Sequence, residues 1–157
     1  MTKQFEIIEN LVKKMAEHEE TLASLYEHYA KLYPHFKWWG KLSKDERMHA
    51  FVLKKLLSKT DFKKLAIKPK VFLPKEIERS ITEIKKETLQ ASKSNLFIAL
   101  NTAFRIENKL IEQGYFKIFY SNDQDFQKVF SYLQEATEKH SQKIYLELKK
   151  LLPKSKI

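Results

Sequence analysis

A chain of 157 residues, 43% hydrophobic and 32% charged, is long enough to bury one real core and too short for two conventional domains. The absence of cysteine excludes disulfides, thiolate metal sites, iron–sulfur clusters and cysteine nucleophiles, and two glycines with four prolines are too few for a sheet protein built on tight turns. The net charge of +10 sits mainly in residues 36–93, with 16 basic and 7 acidic side chains, nearly all the basic ones lysine; without Arg-rich or Gly-aromatic patterns for reading bases, nucleic acid is not an expected partner.

Met1-Thr2-Lys3-Gln4-Phe5-Glu6 runs straight into an amphipathic pattern, without the look of a signal peptide. No apolar run approaches the roughly 18 residues of a membrane span, so the expectation is a cytoplasmic protein with no membrane contact. A first helix is predicted over residues 4–33, with Phe5, Ile8, Val12, Met15, Glu19, Leu22, Tyr26 and Tyr29 as its seam. Glu19 is the polar exception in that seam. Glu17 and Glu20 can face outward, and His18, His28 and His35 lie off it, where surface positions are expected.

A second helix is predicted from Pro34 and the aromatic run Phe36-Lys37-Trp38-Trp39 to about Leu65. Leu42, Glu46, His49, Leu53 and Leu56 step by four and three, so a carboxylate and an imidazole one turn apart lie inside an apolar stripe. Ser43-Lys44-Asp45-Glu46 also matches a capping box, in which Glu46 would serve only its own helix start. The aromatic run ahead of Ser43 reads instead as a packed first turn. Pro69 and Pro74 bracket a basic extended piece, Lys68 to Leu73. Residues 74–91, with Ile77, Ile81 and Ile84 as a narrow stripe, read as an outer crossover helix.

A third helix is predicted from a cap at Ser94 or Asn95 to about Tyr120, with Leu96, Leu100, Ala103, Glu107, Leu110, Gly114 and Ile118 inward. Ser121-Asn122-Asp123 is turn and cap chemistry before a fourth helix that reaches Leu152 ahead of Pro153. Its seam is Phe126, Phe130, Leu133, Thr137, His140, Ile144, Leu148 and Leu151. The two halves repeat: Glu19 then Glu46 with His49, and Glu107 then Thr137 with His140. A tyrosine follows each lone glutamate two turns on, Tyr26 and Tyr115, and both are candidates to relay a proton or carry a radical. Inward glutamates at mid-height of one dry core repel one another unless protons or cations intervene, and two imidazoles beside them point to divalent metal.

At these residues the chain resembles the ferritin-like superfamily and, within it, the rubrerythrin-like branch. Trp39-x-x-Leu42-x-x-x-Glu46-x-x-His49-Ala50 and the Tyr26 position carry the likeness most closely. The resemblance implies an all-α fold, a left-handed, ferritin-like four-helix bundle with a long crossover carrying an extra short helix; by length residues 1–153 are expected to form one domain, with 154–157 a frayed basic tail. It implies a non-haem di-iron or iron/manganese centre, with Glu19 and Glu107 as terminal ligands, Glu46 bridging, and His49 and His140 each binding one metal. Tyr26 would be the catalytic-site residue, donating a hydrogen bond to a ligand carboxylate.

The implied chemistry is that of a peroxidase or ferroxidase, in a homodimer, with electrons from a separate donor because no rubredoxin module is present. Thr137 departs from the family, which has a second bridging glutamate there. A hydroxide or an exogenous carboxylate could fill the gap, Glu112, Glu135 or Glu138 could be recruited, or one metal could bind alone. The alternative function is a degenerate module with one metal or none, binding a partner through its basic surface.

Overall fold

The computed structural model describes residues 3–58, 66–67, 74–117 and 119–152. The fold they form is helical: α1 Lys3–Leu32, α2 Trp38–Ser58, α3 Pro74–Leu89, α4 Leu96–Glu112 and α5 Gln124–Lys150, with a 3-10 turn over Ala91–Lys93. The expected side chain of Phe5, the second helix beyond Ser58, the Lys68–Leu73 piece, Ile118 and the 154–157 tail lie outside the described residues.

The helix starts follow local chemistry. Asn95 caps α4, its side chain accepting from the Ile98 amide at 2.8 Å, and Asp123 caps α5 through the Asp125 and Phe126 amides. Trp38 opens α2, four residues after the proline read as its start. Trp39, fully buried, packs against Tyr26, Tyr29 and Phe36 with ring centroids 4.8–5.5 Å apart. This aromatic first turn removes the capping-box reading. Ser43 is inside the helix, and its hydroxyl donates to the Ala23 carbonyl on α1.

The third predicted helix is shorter than its pattern suggests. Gly114 takes φ +62°, its amide donates to Ile111 and that of Tyr115 to Leu110, the paired bonds that close a helix on a left-handed residue. The chain past this stop pairs Phe119–Tyr120 with Ala66–Ile67 as a two-residue antiparallel ladder, strand structure that the sequence reading did not include. In α5 the seam runs out one turn early: Leu148 is half-buried and Leu151 exposed.

Packing divides the helices into α1 with α2 and α4 with α5, with α3 lying on α1. The apolar core forms two masses above and below the polar residues. One gathers Val12, Met15, Leu53, Leu110, Phe126 and Leu133; the other gathers Leu22, Tyr26, Trp39, Leu100, Ala103 and Ile144. His18 contradicts the surface expectation. It is buried, with its Nε2 2.8 Å from the Ser80 hydroxyl on α3, because α1 is covered on two sides and its seam describes only one. Burial lowers the pKa of His18. His28 and His35 are exposed as expected. No helix among the described residues is long and apolar enough to cross a membrane.

Only backbone strain opposes a side chain at Gly114, where an added Cβ would meet nothing closer than Lys117 Cβ at 3.7 Å. Gly114→Ala is expected to lower stability by about 1 kcal/mol and Gly114→Asn by less. Equal losses in urea denaturation would show that the left-handed turn is not what ends α4.

Candidate metal centre

Seam position on four helices brings Glu19, Glu46, His49, Glu107 and His140 together between the two apolar masses. All five are buried. Their donor atoms form two triads, Glu19 with Glu46 and His49, and Glu46 with Glu107 and His140, each within 4.8 Å. Glu46 belongs to both. Its Oε2 is 3.1 Å from His49 Nδ1, and its Oε1 is 2.8 Å from His140 Nδ1. Glu19 Oε2 lies 3.9 Å from His49 Nδ1 and Glu107 Oε1 3.5 Å from His140 Nδ1. The imidazoles stack at 5.6 Å.

Two further groups, Tyr26 and Asp45, set this geometry, and a third, Tyr115, lies nearby. Tyr26 donates its hydroxyl to Glu107 Oε1 at 2.8 Å, so the tyrosine of the first half serves the glutamate of the second. Tyr115 correspondingly packs edge-on against His18, 5.7 Å between centroids, beside Glu19. Asp45 was not anticipated. Its Oδ2 is 3.0 Å from His140 Nε2 and 3.0 Å from Lys41 Nζ. Adjacency to Glu46 in sequence was the available signal, but Asp45 lies off the seam, and only the approach of α5 reveals its role. With Nε2–H directed at Asp45, Nδ1 is the nitrogen that faces Glu46 and Glu107, and it would offer a lone pair there only after giving up its proton.

The residues proposed to fill the gap at Thr137 do not reach it. Thr137 is buried with its hydroxyl donating to the Leu133 carbonyl. Glu112 accepts from Asn108, Glu138 accepts from Gln134, and Glu135 is exposed.

Protons balance the charge in the metal-free chain. Burial, then the neighbouring Glu46 carboxylate, pushes Glu19 up to about 8. Burial opposes the charged form of both imidazoles, but the carboxylates outweigh it: Glu19 and Glu46 raise His49 to about 11, and Glu107 and Glu46 raise His140 to about 12. Even so, one oxygen each of Glu19 and Glu107 has no hydrogen-bond partner. An unpaired carboxylate oxygen in a dry core costs several kcal/mol. Carboxylate and imidazole donors of this kind suit divalent iron, manganese or zinc, and one of the two orphaned oxygens, Glu19 Oε2, faces His49 within the first triad.

All three raised values act in one direction on stability. Across pH 4.5 to about 8 the folded chain keeps a proton on Glu19 that the unfolded chain has lost, and above 6.5 the same holds for His49 and His140. Below about 6.5 the buried His18, whose pKa is lowered, acts the other way, so the metal-free protein is expected to lose stability as pH rises from 7 to 9, and Glu19→Gln to flatten the lower part of that slope. Urea midpoints measured across this range check it; a midpoint that rises with pH would contradict the charge state assigned to the cluster.

No protein-family model, curated protein or solved structure matches this chain.

Proposed function

We propose that the chain is a ferritin-like metalloprotein in which α1, α2, α4 and α5 form a four-helix bundle, α3 lies in the crossover, and the buried cluster holds two divalent ions. The function this favours is a non-haem di-iron, or iron/manganese, oxidoreductase of peroxidase or ferroxidase type. The observation that carries it is the Glu46 carboxylate, whose two oxygens each face a different histidine and which belongs to two triads, one completed by Glu19 and the other by Glu107. One carboxylate shared by two otherwise separate donor sets is what a paired-metal site requires. Ferrous ions bound there would supply electrons to peroxide or oxygen.

The chain's own residues supply the rest. Glu19 with His49 and Glu107 with His140 would hold the two positions. Tyr26 keeps a proton on hydrogen-bond terms with Glu107 Oε1, and burial and nearby carboxylates raise its pKa well above the ordinary tyrosine value, so at neutral pH it is a donor. Asp45 orients His140, and the two apolar masses exclude water, which strengthens every charge interaction between them. Three glutamates against the four positive charges of two divalent ions leave a deficit of one negative charge. An anion from solution would close it.

A second reading has its own observation. The protonated histidines already compensate Glu46 and Glu107, and Thr137 brings no carboxylate, so the fold does not depend on two cations. A module with one metal or none, acting as a binding protein, fits those facts. Loading with ferrous iron and elemental analysis separates the two. The di-metal reading expects two equivalents in the unaltered protein, about one in Glu19→Ala and in Glu107→Ala, and almost none in Glu46→Gln, each checked for helicity by circular dichroism. Full occupancy in Glu46→Gln would remove the proposal.

A further inference from the structure

The cluster is reached through a cleft. The backbones of α2 and α5 approach closely at few places, the helices meeting through His140 with Asp45 and Glu46, and a cavity of about 360 Å³ opens between them with His49 and His140 in its wall. Peroxide and oxygen need little more than the space of one water, about 30 Å³. The cleft is roughly ten times larger and falls among small-molecule sites, which start near 300 Å³.

Its lining is amphipathic in a particular sense. Trp38 and Leu42 on α2 and Tyr132 and Ala136 on α5 supply apolar walls. Three lysines edge it, and two are committed: Lys41 pairs with Asp45 at 3.0 Å, and Lys143 lies 2.9 Å from Glu147 and 3.9 Å from the Trp38 ring centre. Lys139 is exposed and has no ion-pair partner among the described residues. Asp45, the acid of this wall, is tied down by Lys41 and His140, so it offers an incoming anion little repulsion.

We infer that this cleft is the organic-ligand site of the centre and takes a small carboxylate with an apolar body. The head group pairs with Lys139, and the body lies between Trp38, Leu42 and Tyr132 against the two imidazoles. The inference deepens the metal reading and rests on it for the meaning of the position. The binding itself does not, since every contact named is with the chain.

Calorimetric titration of the metal-free protein with benzoate and octanoate, and with the uncharged benzamide and octanamide, tests it. The carboxylates are expected to bind more tightly than their amides and to weaken as salt is raised. Lys139→Glu should weaken the carboxylates by roughly threefold to tenfold, as expected for an exposed ion pair reversed in sign, and leave the amides unchanged. Ala136→Phe should fill the cavity and abolish all four; if that variant fails to fold, the acid–amide comparison and Lys139→Glu still decide. Absence of carboxylate binding, equal binding of acid and amide, or indifference to Lys139→Glu overturns the inference. Carboxylate binding by a chain that takes up no iron would sink the metal centre and leave this site standing, and two bound irons without carboxylate binding would do the reverse.

Discussion

A single buried carboxylate governs this molecule. Glu46 is enclosed by side chains from four helices, and neither of its oxygens can be left bare in so dry a place without a cost comparable to a large part of a domain's net stability. Each oxygen is answered by a different histidine, His49 from its own helix and His140 from 94 residues further along. The long-range bond joins the α1–α2 pair to the α4–α5 pair at the level where apolar packing is interrupted.

In the proposed metal centre, protons and cations would compete for the same atoms. The metal-free cluster neutralises itself by holding protons on Glu19, His49 and His140, and any divalent ion must displace them. Acidity therefore favours the closed, proton-balanced cluster, and alkalinity favours a cation. The unpartnered oxygens of Glu19 and Glu107 mark where the proton solution falls short. If two cations are bound as proposed, Thr137 limits how much of their charge the protein itself can offset, which would leave room for an anion from outside.

The two long sides of the molecule differ in the same region. On the α1 side, α3 closes over the helix, and the His18–Ser80 pair satisfies a polar group in that contact. Between α2 and α5 lies a cleft walled by Trp38 and Tyr132 and edged with lysine. His49 and His140 line this cleft, so the cluster has a direction of approach.

Much of this could be read from residue order. Period-3.6 spacing identified the helices, and the interruption of each apolar seam by Glu19, Glu46 with His49, Glu107 or His140 identified the inward polar groups, because a helix fixes which side chains share its face whatever it packs against. Other features depended on contacts between segments. His18 left the surface because α3 covers a second face of α1; Asp45 acquired a partner because α5 passes beside it; the cleft is the space left between the side chains of α2 and α5. The stop at Gly114 was written locally but masked by an apolar pattern that continued through Ile118. The sequence by itself determined which residues face inward, since that follows from the pitch of a helix; which of them meet, and where solvent reaches them, only the tertiary structure decided, since that follows from the distances between helices.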